Sequence, residues 1–290
     1  MAKNDNPTEN KTQKRRHRRG VRGAKKKKAR QKKLSGDSVE EVDATKTEHK
    51  PSLDSKAGKS SNTDTNALVS KLKSGRFRYI NEQLYTSTSS EAERLFAEDP
   101  ESFQLYHEGY SVAASQVSKW PVNPLDVVIR QLRSQDASLV VADMGCGEAR
   151  LARQLKQSVH SFDIQALNER VTACNMDKAR RCKLRTVPLE SASVDICIFC
   201  LSLMGTNLAD YLREANRILK MHGLLKIAEI CSRISSLRNF VRALEKLGFR
   251  LVQKKMLRDM FVILDFNKVS KPTNRHPPGL SLLPCLYKKR

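Results

Sequence analysis

The chain has 290 residues and is strongly basic, with 54 Lys and Arg residues against 31 Asp and Glu residues. This length accommodates one catalytic domain with additional segments. No apolar segment reaches the roughly 20 residues that a membrane-spanning helix needs, and the N-terminus lacks the apolar core of a signal peptide. The seven cysteines are odd in number and scattered, which is typical of a reducing compartment. These features predict a soluble intracellular protein that does not contact a membrane.

The excess positive charge is concentrated near the N-terminus. Residues 11–33 contain 14 basic residues and no acidic one. We expect residues 1–65, which also include a Ser-, Thr- and Lys-rich linker, to be disordered because they cannot bury a core. Clustered positive charge attracts phosphate by releasing counterions and is also typical of nuclear targeting. The segment therefore predicts contact with RNA; the alternative is a tail that only increases solubility.

A small helical region is predicted next, over residues 66–122, from its aromatic and aliphatic side chains. Ser89, Ser90 and Glu93 resemble the beginning of a helix, and the proline at position 100 predicts a break between helices. Ordered structure is expected to begin near residue 67, after the linker.

Strands and helices alternate over residues 123–290. The predicted helices are residues 125–132, 148–156, 208–220 and 236–247, and the predicted strands are residues 138–144, 159–163, 171–174, 194–204 and 224–230. Residues 249–266 are expected to form a hairpin. This alternation indicates an α/β fold with a Rossmann-like, doubly wound, mostly parallel sheet, to which the hairpin adds an antiparallel C-terminal edge strand.

A glycine motif follows the first predicted strand. Asp143 precedes Gly145-x-Gly147, and a helix is predicted immediately afterwards. Glycine permits a tight turn and a close approach of a ligand to the backbone. The second strand ends at Asp163, where a carboxylate can accept hydrogen bonds from the hydroxyl groups of a ribose. The pattern therefore predicts a nucleoside-containing ligand at the carboxyl ends of the strands.

Three interpretations of this motif remain open: two classes of ligand, and a turn that binds no ligand. Dinucleotide sites prefer a third glycine where Arg150 stands, because the helix there must receive a pyrophosphate. S-adenosylmethionine carries no phosphate, so the Asp143-x-Gly-x-Gly form favours a methyltransferase. An ordinary strand-turn-helix without a ligand is the third interpretation.

A possible metal or redox pair, Cys197-x-x-Cys200, is rejected on geometric grounds. Side chains three residues apart on a strand point to opposite faces of the sheet. Cys200 is expected to line the ligand crevice or the core instead. No zinc-ligand spacing occurs elsewhere, and we predict no metal site.

Several longer segments resemble the eukaryotic nucleolar rRNA-processing methyltransferases, the nucleomethylin-like family. The resemblance covers about the last three-quarters of the chain and is carried by residues 76–85, 106–110, 119–121, 142–147, 199–207 and 284–288. It implies a class I methyltransferase fold and S-adenosylmethionine as the cofactor. It also implies methylation of adenine N1 in large-subunit ribosomal RNA, residence in the nucleus and nucleolus, and chromatin-silencing proteins as partners. The alternative is a cofactor-binding scaffold at ribosomal DNA with weak or no transfer activity.

The resemblance also implies a set of cofactor contacts. Carried over residue by residue, these are His107, Gly145, Asp163, Asn175, Met176 and Cys200. Adenine N1 already has an available lone pair, so we assign no catalytic residue.

Three departures from the family pattern stand out. Asn175 replaces an Asp that is placed to accept from the adenine amino group. Residues 177–186 form a connection about eight residues longer than in the family, and five of the ten are basic. Met221-His222 replaces a Pro-Gly turn. The first two changes concern the neighbourhood of the expected cofactor.

Overall fold

The computed structural model describes residues 61–115, 120–176 and 187–285. The basic tail, most of the linker predicted over residues 1–65, and the long connection at residues 177–186 lie outside the described residues. Within the described part, no helix is both long and apolar enough to cross a membrane.

The first three helices of the described chain form the predicted helical region. They are α1 (Ser61–Thr86), α2 (Ser89–Glu98) and α3 (Pro100–Ser115). Helix α1 begins earlier than expected, inside the segment interpreted as linker. Helix α2 begins with a capping box in which Thr88 N donates to Glu91 Oε2 at 2.7 Å. The helix begins at Ser89, as expected, but the residues that cap it are Thr88 and Glu91, which have the spacing that a capping box requires.

The three helices share a small core of their own. Gly109 allows α3 to approach α1 closely, since a Cβ at this position would lie 2.5 Å from the ring of Phe77. Ile164, after the second strand, and Met204, after the fourth, pack against this core. The helical region thus lies against the carboxyl ends of these strands. The buried core residues are Phe77, Ile80, Leu84, Ala92, Phe96, Phe103 and Tyr106.

Seven strands form one sheet in the order β3-β2-β1-β4-β5-β7-β6. All neighbouring pairs are parallel except those of β7, which runs antiparallel to β5 and β6. The predicted mostly parallel, doubly wound sheet and its C-terminal hairpin are confirmed. In this hairpin β6 is the edge strand, and β7 lies between β5 and β6. The strands are β1 (Val140–Met144), β2 (Ser158–Asp163), β3 (Val171–Ala173), β4 (Val194–Cys200), β5 (Leu219–Ile230), β6 (Phe249–Leu257) and β7 (Phe261–Lys268).

Helices cover both faces of the sheet, as its alternating side chains require. On one face, Val141 and Ile198 pack with α4 (Pro124–Arg133) and α5 (Arg150–Gln154). On the other face, Ala142 and Phe199 pack with α6 (Leu208–Ile218) and α7 (Leu237–Lys246). The central strands are apolar on both faces because both faces are buried.

Strand β4 ends earlier than the sequence predicts. It was expected to reach Met204, but it stops at Cys200 because Leu201 has a φ of 59°. The residues that follow form a loop in which Leu201 and Leu203 are buried. A buried loop and a buried strand have the same apolar composition, so the sequence did not mark the boundary. Helix α5 is shorter than predicted for a similar local reason, since Ala149 has a φ of 55° directly before it.

Candidate cofactor site

The turn after β1 forms the floor of the candidate site. Gly145 and Gly147 have φ values of 76° and 55°, in the left-handed region that favours glycine. The carbonyl oxygen of Phe162 in β2 accepts hydrogen bonds from the N–H groups of Gly145 at 2.8 Å and Cys146 at 3.0 Å. The backbone of the turn is therefore fixed to the neighbouring strand.

Each glycine of the turn faces a different neighbour. A Cβ on Gly145 would lie 2.4 Å from Cβ of Ser202, whereas a Cβ on Gly147 would lie 3.2 Å from the His107 ring. Ser202 also donates from Oγ to the carbonyl oxygen of Met144 at 2.5 Å. Gly145 is thus also required by the contact between the loops after β1 and β4, whereas sequence reasoning attributed it to the tight turn and to the approach of a ligand.

Asp163 joins the end of β2 to the glycine turn. Its Oδ2 accepts a hydrogen bond from Gly147 N at 2.8 Å, and its Oδ1 accepts one from Ile164 N at 2.7 Å. Burial raises the pKa of this carboxyl group, while the His107 charge and the two N–H donors act in the opposite direction. The acid predicted from the end of the second strand is therefore held in one orientation by the backbone.

His107 reaches this acid from the helical region. It lies in α3, packed edge-on against Phe103 with ring centroids 4.6 Å apart. Burial lowers the pKa of His107, and the charges of Asp163 and Glu148 oppose that shift. Burial therefore favours the neutral imidazole, and the two acids favour the charged form. Only the family resemblance pointed to this residue, because its partners are distant in the sequence.

A second acid, Asp143, lies behind the turn at the end of β1. It is 4% exposed, and burial, together with the nearby charge of Asp163, raises its pKa to about 8. Asp143 is therefore protonated at neutral pH in the protein without a ligand. The site consequently contains two carboxyl groups whose ionisation a cationic ligand would favour.

Asn175 and Met176 follow β3 at the other end of the site. Asn175 is 4% exposed, and its Nδ2 donates to Glu93 Oε2 in α2 at 2.9 Å. Glu93 therefore orients the amide, a role that sequence reasoning missed because Glu93 was interpreted as part of a helix start. The partly buried Met176 packs against the core on the α6 side of the sheet.

The two cysteines of β4 lie on opposite faces of the sheet. Cys197 belongs to the core under α6, and Cys200 packs against the core under α4. This arrangement agrees with the rejection of a paired metal or redox site. In the described ranges, no three His, Cys, Asp or Glu side chains are grouped in a way that could hold a metal ion.

Arg233 connects the loop after β4 to the C-terminal segment. This buried side chain donates to Glu229, to the carbonyl oxygen of Leu203 at 2.8 Å and to that of Leu283 at 2.8 Å. A buried guanidinium with these partners fixes the loop that carries Ser202. The segment after Leu283 belongs to one of the strings that carry the family resemblance, and residues 286–290 lie outside the described residues.

All six residues proposed as cofactor contacts line one cavity. Its volume is about 490 Å³, within the range of sites that enclose a small molecule. Side chains from α2 and α3 line it opposite the turn after β1. The proposed contacts among its lining residues are His107, Gly145, Asp163, Asn175, Met176 and Cys200.

The sequence is similar to methyltransferases over most of its length. A family model described as "Hypothetical methyltransferase" matches residues 64–290. Ribosomal RNA-processing protein 8 of Mus musculus is 46% identical over 87% of this chain and 53% of its own length. The Caenorhabditis elegans protein of the same name is 46% identical over 83% of this chain and 71% of its own.

A third relative carries a more specific name. The 25S rRNA (adenine(645)-N(1))-methyltransferase of Schizosaccharomyces pombe is 41% identical over 77% of this chain and 71% of its own length. The chain spans about half the length of the mouse and rat relatives. The match of residues 64–290 takes in the helical region, the sheet and the cavity. The chain therefore belongs to the methyltransferase family that includes ribosomal RNA-processing protein 8.

Proposed function

We propose that this protein uses S-adenosylmethionine to methylate N1 of an adenine in large-subunit ribosomal RNA, and so acts in ribosome biogenesis. The observation that carries the proposal is the convergence of the six expected contact residues on one cavity at the carboxyl ends of the strands. Family membership and the name of the Schizosaccharomyces pombe relative support the same reaction.

The residues of the cavity suit each part of this cofactor. Asp163, already oriented by two backbone N–H groups, can accept from the ribose hydroxyls through its remaining lone pairs. Asn175 and Met176 would contact the adenine, with the Asn175 carbonyl as an acceptor for the amino group. Asp143 and Asp163 would lie near the positively charged sulfonium, which favours their ionised forms. The cofactor supplies the methyl group.

The reaction requires the protein mainly to position the two reactants. Adenine N1 is unprotonated at neutral pH, so its lone pair attacks without a general base. The protein has to exclude water and hold N1 in line with the methyl group. Because N1 lies on the Watson–Crick edge, the target base must be unpaired or flipped out of its helix before it enters. The covering helices α2 and α3 would provide this enclosure.

RNA contact would come from the basic tail and from the surface of the domain. Residues 11–33, with 14 positive charges, are suited to phosphate binding and to residence in the nucleus and nucleolus. A variant with these Lys and Arg residues changed to Gln keeps the length of the tail. We expect it to bind RNA more weakly and with a flatter dependence of log affinity on log salt. An unchanged slope would exclude the tail from RNA binding.

Transfer of a labelled methyl group tests the proposed reaction. The purified chain is incubated with S-adenosylmethionine and an unmodified transcript of large-subunit rRNA, and the RNA is digested to nucleosides. We expect N1-methyladenosine, and none with the Asp163→Ala variant. Tight binding of the cofactor by the parent without any transfer would favour the alternative of a scaffold in a chromatin-silencing complex.

A further inference from the structure

A basic surface lies at one edge of the sheet, outside the cavity. It is formed by α7 and β6, and residues 237–257, which span these two elements, include six basic residues and one acid, Glu245. All six basic side chains are exposed. We call them the edge surface; they are Arg238, Arg242, Lys246, Arg250, Lys254 and Lys255.

The cations of the edge surface are not neutralised by acids. Exposed basic side chains in other parts of the described chain do form ion pairs, such as Arg153 with Glu148 at 3.2 Å and Lys220 with Asp195 at 2.8 Å. Among the residues that the structure describes, no acid lies at ion-pair distance from any of the six. Their charge is therefore available to an anionic partner.

Helical spacing places the three charges of α7 in one row. Arg238, Arg242 and Lys246 are four residues apart, so they share one face of the helix and extend over about 12 Å. The opposite face of α7 packs toward the sheet through its buried residues, which are Phe240, Ala243 and Leu244.

The charges of β6 point to both faces of the sheet. Lys254 lies opposite Leu264 of β7 and therefore points to the face that α6 and α7 cover. Lys255 lies opposite Ile263 and points to the other face. Because β6 is the edge strand, alternate backbone N–H groups also face away from the sheet. Phosphates bind to such N–H groups as well as to Arg and Lys side chains.

The edge surface reaches the end of the sheet where the cavity lies. Strand β7 is antiparallel to both β5 and β6, so β6 runs in the same direction as β4 and β5. Lys254 and Lys255, near the end of β6, therefore lie toward the carboxyl ends of the strands. Three strand spacings, about 14 Å, separate β6 from β4. An RNA strand that delivers a base to the cavity can thus also contact the edge surface.

Lysines on an edge strand have a structural explanation as well. Charged side chains there prevent the strand from pairing with another chain. This explanation accounts for Lys254 and Lys255, but charges of either sign would serve, and it does not account for the row of cations on α7. A single sign of charge across a helix and the neighbouring strand is typical of a surface that binds phosphates.

We propose that the edge surface binds the phosphate backbone of the RNA substrate near the target adenine. This assignment rests on the proposed function and names the part of the domain that holds the RNA. Phosphate contacts position a nucleic acid without reading its sequence, so the edge surface orients the RNA and the cavity accepts the base. RNA suits this surface better than an acidic protein does, because the substrate has to lie at this end of the sheet to reach the cavity.

Two triple variants of the full chain test the assignment. One changes the three cations of α7 to Gln, and the other changes the three cations of β6 to Gln. Binding of an unmodified transcript of large-subunit rRNA is measured over a range of salt concentrations. Each phosphate contact contributes about 0.7–0.9 to the slope of log affinity against log salt, so we expect each variant to flatten the slope by about 2 and to weaken binding about tenfold. Binding of S-adenosylmethionine should not change.

The basic tail could conceal such a loss, because it carries many charges of its own. The measurements are therefore repeated in a full-length chain in which the Lys and Arg residues of positions 11–33 are changed to Gln. The two triple variants should flatten the slope by the same amount in this background.

A matched control removes the same charge from another part of the domain. Arg130, Arg133 and Lys156 are exposed and lie in α4 and in the connection between α5 and β2. Three strands, β4, β5 and β7, separate β1 from β6. Changing these three residues to Gln should leave the affinity and the slope close to those of the parent.

Each outcome decides between the surface and the function. Parent-like RNA affinity and slope in both triple variants would overturn the assignment and favour an acidic protein as the partner, while the proposed function would stand if the parent methylates the transcript. An equal loss in the matched control would also overturn the assignment, because net charge alone would then explain the binding. If the parent does not bind the transcript, the proposed function fails and the assignment fails with it.

Discussion

The backbone N–H of Gly147 donates a 2.8 Å hydrogen bond to Oδ2 of Asp163. This bond joins the turn after β1 to the end of β2, so the glycine motif and the acid that follows Gly147 by 16 residues form one structural unit. Asp163 consequently holds the turn, and we propose that it also offers its remaining lone pairs to a ribose. A substitution here is expected to affect both the turn and the ligand.

The first prediction separates these two functions of Asp163. Asp163→Ala should weaken binding of S-adenosylmethionine about a hundredfold, on the order of 3 kcal/mol, because charge-assisted hydrogen bonds to the ribose are lost. Asp163→Asn keeps one acceptor oxygen and should fall between the alanine variant and the parent. Calorimetry gives the affinities, and urea unfolding shows how much the turn is destabilised. Parent-like affinity in the alanine variant would place the cofactor elsewhere.

The second prediction concerns the bond between Asn175 and Glu93. Restoring the family residue with Asn175→Asp would place two carboxylates next to each other, since Asn175 Nδ2 donates to Glu93 Oε2 at 2.9 Å. We expect Asn175→Asp to destabilise the protein by about 1–3 kcal/mol, the cost of losing a buried partner. Adding Glu93→Gln should recover most of the loss.

A double-mutant cycle in urea measures this coupling. Additive effects of the two changes would mean that the contact contributes nothing. The same cycle should be run in a chain that lacks residues 178–185, since that basic segment begins three residues after Asn175. Cofactor affinity in each variant then shows whether the added segment or the missing charge limits binding.

The third prediction is a pH dependence that comes from Asp143. Its pKa is about 8 in the folded chain, whereas the ordinary value is 3.8. At a pH between these two values, the carboxyl group therefore takes up a proton when the chain folds. Stability contributed by this group therefore falls as the pH rises from about 4 to 8 and is constant above that range. In the protein without a ligand, Asp143→Asn should be more stable than the parent by about 2 kcal/mol or more at pH 8, and the difference should vanish near pH 4.

Urea unfolding of both proteins from pH 4 to pH 9 provides the comparison. Other titrating groups are present in both chains and cancel in the difference. A difference that does not change with pH would show that Asp143 is ionised throughout this range in the folded protein.

The fourth prediction concerns His222, far from the cavity. This exposed residue has a φ of 64°, in the left-handed region that favours glycine. The left-handed conformation costs a non-glycine residue roughly 1–2 kcal/mol. A glycine avoids this cost, but it loses more backbone entropy on folding, which cancels part of the gain. His222→Gly should therefore stabilise the protein by about 1 kcal/mol and raise its melting temperature by a few degrees. Gly147→Ala, at a φ of 55°, should have the opposite effect on stability.

The local patterns of the chain predicted the sheet and one end of the site. The glycine turn and the acid at Asp163 follow from short stretches of sequence and are found where they were expected, as are the strong apolar strands apart from the end of β4. The contacts of His107 and Asn175 depend on α2 and α3 packing against the strand ends, which no local pattern encodes. The family resemblance placed those residues in the site, but their partners, Asp163 and Glu93, were visible only in three dimensions.

Some local predictions were wrong for reasons of burial and backbone conformation. The loop after Cys200 is as apolar as a strand because Leu201 and Leu203 are buried in the cores on the two faces of the sheet and Met204 packs against the helical region. The importance of Gly145 was correctly recognised, but the neighbour that excludes a side chain is Ser202. Gly145→Arg would thus disturb the loop after β4 as well as the ligand, which makes Asp163 the better position for a binding test.

The central claim is most directly tested by reverse transcription of large-subunit rRNA from cells that lack this protein. A methyl group on adenine N1 blocks base pairing, so it stops reverse transcriptase at one nucleotide. We predict that one such stop disappears without the protein, returns with the parent chain and does not return with Asp163→Ala. An unchanged pattern of stops in the cells without the protein would contradict the account.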